Sequence, residues 1–97
     1  MKNLDYHHEA VEYHHQAKEF LKLGELQTAE TIYSYALAFY KKDKNHLMYN
    51  RCSQEMVKRL SIEPTKLEEL IKKGEEKIDA SLKNSELILQ NLKNSSN

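Results

Sequence analysis

Two histidine doublets stand seven residues apart in this 97-residue chain, as Tyr6-His7-His8-Glu9-Ala10-Val11 and Tyr13-His14-His15-Gln16-Ala17-Lys18. Imidazole binds metals and titrates near neutral pH, so these four side chains are the first place to look for chemistry. Spacing restricts the metal option. On one helix, equivalent histidines of the two doublets are separated by about 10.5 Å along the axis, whereas two donors on one zinc lie within about 4 Å of each other. His8–Glu12 and His15–Glu19 have the usable i,i+4 spacing, and Glu12-x-x-His15 has the form of half a di-iron helix motif. The chain holds no second Glu-x-x-His. His8, Glu12 and His15 are therefore metal candidates only between molecules, on a face expected to be solvated. No metal centre within the chain and no cofactor is expected.

The other reactive group is the single Cys52. It has no second cysteine to pair with, which suits a reducing, cytoplasmic setting, and it sits on an apolar stripe where a thiol is normally core. No glycine-rich phosphate loop, zinc-type cysteine pair or paired-carboxylate pattern is present. The expectation is a protein that is not an enzyme.

The elements that must position these residues follow from the apolar period. Tyr6, Ala10, Tyr13, Ala17, Phe20 and Leu21 recur at three and four, one face of a helix over about 4–23. At 100° per residue, Tyr6 and Tyr13 face the core, His7 and His14 fall about 70–80° from its centre beside Val11, and His8 and His15 point away. Gly24 supplies the break. A second helix over about 25–43 carries Leu26, Ala29, Ile32, Tyr33, Ala36, Leu37 and Tyr40, with Ala29 and Ala36 letting a neighbouring backbone come close. Lys41, Lys42 and Lys44 complement its negative pole. Asn45 caps a third helix over about 45–61, with Tyr49, Cys52, Met56 and Leu60 inward. Pro64 breaks the chain, and Thr65-Lys66-Leu67-Glu68 reads as a capping box that starts a last helix over about 65–93. Its stripe of Leu67, Leu70, Ile71, Gly74, Ile78, Leu82, Leu89 and Leu92 keeps phase across Gly74. The single domain 1–97 is thus expected to be all-α, an antiparallel hairpin followed by two further helices, the last one long.

Composition agrees. The chain is 39% hydrophobic and 31% charged, with only two glycines and one proline for sheet turns. Net charge is zero but uneven: residues 1–40 carry three lysines against six acids, net −3, and residues 41–97 carry twelve basic residues against nine acids, net +3. Most of the excess lies in Lys41, Lys42, Lys44, Arg51, Lys58 and Arg59, a patch too modest to imply nucleic acid. No apolar run reaches the about 20 residues of a membrane span, and the start lacks a secretory signal. A soluble, cytoplasmic protein is expected, with no membrane partner.

From about residue 10 to 43 the hairpin resembles a tetratricopeptide repeat. The residues that carry this are Tyr13, Ala17 and Phe20, the turn Gly24-Glu25-Leu26, then Ala29, Tyr33 and Ala36-Leu37. Lys41 stands where such repeats often have a proline. One repeat length onward, Asn50, Arg51, Gln54 and Lys58 fall where apolar residues or glycine belong, so no solenoid with a long groove follows. The first three helices are also loosely similar to the microtubule-interacting and transport domain, through Arg51-Cys52 and Lys58-Arg59. The hairpin, the absence of catalytic motifs and the long last helix together lead to the expectation of a non-catalytic protein–protein interaction module: an adaptor, a small chaperone or an oligomerisation unit. The alternative is a metal- or pH-responsive helical protein using the histidine doublets. Leu82, Leu87, Ile88, Leu89 and Leu92 continue the stripe beyond the shorter helices and are the expected interaction residues, most simply in a homodimer.

Overall fold

The computed structural model describes residues 5–95, with side chains through Ser85. Four helices follow one another: α1 (Tyr6–Lys22), α2 (Leu26–Lys42), α3 (His46–Leu60) and α4 (Pro64–Ser95). The described chain is all-helical. Asp5 caps α1 by accepting the His8 amide, and Asn45 caps α3 by accepting the Met48 amide, both at 3.1 Å. Pro64 is itself the first residue of α4, where its missing N–H costs nothing. The expected capping box at Thr65 is not seen, since Thr65 already lies inside the helix.

The first three helices end in the same way. The residue after the last turn turns left-handed, and the next amide reaches back five residues, from Glu25 to the Phe20 carbonyl, Asn45 to Tyr40 and Ile62 to Val57, at 3.0, 3.0 and 3.2 Å. The left-handed residues are Gly24 (φ 77°), Lys44 (φ 58°) and Ser61 (φ 51°). Only the first is free of the Cβ penalty of about 1–2 kcal/mol. The turn so formed after α3 directs Ile62 into the core, where it is 6% exposed.

α2 is the centre of the fold. Tyr6 and Tyr13 of α1 meet Phe39 and Tyr35 of α2, so those helices run antiparallel; Tyr13 stacks on Phe39 at 5.7 Å and meets Tyr35 edge-on at 5.7 Å. α3 returns antiparallel on another side, and α4 packs parallel to α2, with Lys66 on Glu30, Lys41 on Glu75 and Lys42 on Asp79. Lys41 and Lys42 thus bind α2 to α4 as well as lying at the helix pole. A helix contacted on three sides must be apolar around its circumference. Accordingly Ala36, Leu37, Ala38, Phe39 and Tyr40 are all buried in succession. Leu26, by contrast, opens α2 in solvent, beyond the reach of α1's packing face, and Val11 is exposed on α1.

α4 runs unbroken through Gly74, which is buried because α2 crosses it there. A Cβ at that position would stand 2.7 Å from Ser34 Oγ, 2.8 Å from its Cβ and 2.8 Å from its carbonyl oxygen. Ile78 is buried one turn on, and Leu67, Leu70, Ile71 and Leu82 pack against the same core. Leu82 is partly buried against this core. The side chains of Leu87, Ile88, Leu89 and Leu92 lie outside the described residues.

Candidate functional site

The polar chemistry of the molecule converges where α1, α2 and α3 meet, and His14 is its centre. His14 does not belong to an exposed stripe with His7, His8 and His15. It is 9% exposed, because α3 closes over the flank of α1 that the core centre alone leaves open. Its Nε2 lies 2.8 Å from Glu55 Oε2, and its Nδ1 lies 3.1 Å from the Tyr40 hydroxyl. A carboxylate only accepts, so Nε2 carries the proton. Nδ1 pairs with the Tyr40 hydroxyl, so both ring nitrogens are engaged. Tyr33 donates its hydroxyl to the same Glu55 oxygen at 2.7 Å, and Lys18 Nζ stands 3.8 Å from Oε1.

Burial by itself would raise the Glu55 carboxyl. Hydrogen bonds from Tyr33 and His14, with the electrostatic pull of His14 and Lys18, outweigh it and hold the group below the usual carboxylate value. The tyrosines move the other way. Burial, followed by the hydrogen bond to Glu55, raises Tyr33, and burial with nearby Cys52 and Glu55 raises Tyr40 to about 12. Neither tyrosine is poised to ionise near neutrality, and the carboxylate is held in its charged form. Its role is to lock three helices in register.

Cys52 is fully buried on α3, and burial with the neighbouring Glu55 charge pushes its thiol up to about 12. A thiol so placed is a poor nucleophile. Native protein should therefore react with iodoacetamide at pH 8 at least about a hundredfold more slowly than urea-unfolded protein. Mass spectrometry of timed aliquots checks this, and equal rates would return Cys52 to the list of reactive groups.

His8, Glu12 and His15 are all exposed on α1, where His15 makes a 3.9 Å contact with Glu19 and His7 a 3.4 Å contact with Asp43. Among the described residues, no group of three or more His, Cys, Asp or Glu side chains is placed to share a metal ion. Also among them, no helix is long and apolar enough to cross a membrane.

The helical period could not reveal Glu55, since a carboxylate on a polar face signals nothing. Three polar-tipped rings did carry a signal: Tyr33 and Tyr40 sit two turns apart on α2, and His14 faces them from the antiparallel helix. Hydroxyls buried in such a row need an acceptor.

Above this network, α3 presents an open groove lined by Arg51, Gln54, Glu55, Lys58 and Arg59. No family model matches the chain, and no curated protein or solved structure matches it either.

Proposed function

We propose that the chain is a non-catalytic protein–protein interaction module built on a tetratricopeptide-like hairpin, serving as an adaptor, small chaperone or oligomerisation unit. The observation that carries this reading is the length of α4. Its 32 residues correspond to about 48 Å of helix, against about 25 Å for the 17 residues of α1 or α2. Its last turns have no counterpart of equal length in the body to lie against, and their sequence is rich in leucine. The complete burial of Ala17, Ala29, Tyr33, Ala36 and Leu37, with Gly24 left-handed at the turn, supports the tetratricopeptide likeness.

The simplest form of the module is a cytoplasmic homodimer through the end of α4, around Leu87, Ile88, Leu89 and Leu92. A twofold interface uses one patch on both copies, so Leu89→Glu strikes it twice. Light scattering should give twice 11.4 kDa for the wild type, and a folded monomer for Leu89→Glu. A monomeric wild type at high micromolar concentration removes the dimer. If that monomer also retains no protein from a lysate of its native cell, the module reading falls with it.

A further inference from the structure

On α3, Arg51, Glu55 and Arg59 follow one another at i, i+4 and i+8. That spacing ordinarily yields a ladder of ion pairs along the helix surface, in which a glutamate neutralises the cations one turn away. Here Glu55 is turned inward. One of its oxygens is taken by His14 and Tyr33, and the other faces Lys18. Arg51, Lys58 and Arg59 are left exposed, clustered within three turns of one helix, and among the described residues none has a carboxylate within ion-pairing distance.

We propose that this face of α3 docks an acidic peptide segment of a partner protein, with Arg51, Lys58 and Arg59 taking its carboxylates. The proposal rests on the interaction-module reading and gives the chemistry of the partner. Arg51 to Arg59 spans about 12 Å along the helix, the reach of a few peptide residues. Guanidinium forks take carboxylates in a bidentate geometry, and Gln54 between them offers both a donor and an acceptor to a peptide group. The surface is also pre-organised, because the bonds from Glu55 fix the rotation of α3 about its axis before any partner arrives. A nucleic acid is the poorer fit. Binding there grows with the number of phosphates neutralised, and the face offers only Arg51, Lys58 and Arg59 besides Lys18, which Glu55 already faces.

The test is a titration of the 15N-labelled full chain with a synthetic peptide of repeated Gly-Glu-Asp-Leu, at low and at high salt. Amide shifts should centre on residues 51–59, and salt should weaken binding. Arg51→Glu/Arg59→Glu should lower affinity by about tenfold or more while keeping the melting curve of the wild type. If that variant fails to fold, Lys58→Glu replaces it with the same expectation. Shifts that map elsewhere, or a charge-reversed variant that binds like the wild type, overturn the proposal. Oligothymidylate binding equally well over the same footprint assigns the face to nucleic acid and overturns it too. So does a concentration-dependent mass that vanishes in the double variant, since a second copy then occupies the groove. The two readings fail separately: a monomeric wild type leaves this titration intact, and a null titration leaves the mass of the wild type unchanged.

Discussion

Gly74→Ala should destabilise the protein by about 1–3 kcal/mol, the range of an overpacked core. In an exposed helix interior the same substitution stabilises by about 1 kcal/mol, because alanine is the better helix former. The sign reverses because the new methyl would stand within 2.8 Å of three atoms of Ser34, and one of them is a backbone carbonyl oxygen that cannot rotate away. α4 must shift off α2 to make room, which disturbs the Lys41–Glu75 pair and the seat of Ile78. Urea denaturation of the wild type, Gly74→Ala and Gly74→Ala/Ser34→Gly reads this directly. The second change removes the Oγ and Cβ and should recover part of the loss. A Gly74→Ala protein as stable as the wild type would show that α4 does not lie this close to α2.

The next largest effect is expected at Glu55. Glu55→Ala removes the shared acceptor of Tyr33 and His14, and each buried donor left without a partner costs about 1–3 kcal/mol. Water can reach part of the vacated space, since the Glu55 side chain is 22% exposed, so a total of about 2–3 kcal/mol is expected. Glu55→Gln keeps a carbonyl acceptor and should cost less. The charged state matters as well. The folded carboxyl is held below its ordinary value, so its contribution is present above that value and is lost as pH falls through the folded pKa. Thermal melts from pH 7 down to pH 3 should show the wild type losing stability more steeply than Glu55→Gln. Parallel curves for the two proteins would remove Glu55 from the acid response.

Most of the helices were legible in the sequence. The three-and-four period marked α1 and α2 to within about two residues, Asn45 announced the start of α3, and the unbroken phase of Leu70, Ile71, Gly74 and Ile78 carried α4 through its glycine. The candidate site was not legible. Period-based reading places a residue relative to one core face, and His14 lies off that face. It is buried because α3 arrives from 41 residues away in the chain to cover it, a contact that no local pattern encodes. Glu55 was hidden for the opposite reason, since its neighbours Arg51 and Arg59 make it look like one member of a surface ladder. The central position of α2 had a clearer signature. From Tyr33 to Tyr40 only Ser34 lacks an apolar or aromatic side chain, and a run that covers every side of a helix leaves no face for water.

That arrangement bears on how the molecule comes apart. Every other helix rests on α2, so none of the three interfaces can open without exposing a side of the same eight-residue stretch. Peeling α4 away uncovers Ala38 and Ser34, and releasing α3 strands the hydroxyl of Tyr33. Departure of α1 leaves Phe39 without its aromatic neighbours. Partial openings are thereby penalised at a common site, and the chain behaves as a single cooperative unit despite its linear, up-and-down order. The amides at the middle of α2 become the last to exchange with solvent, at the rate of global unfolding.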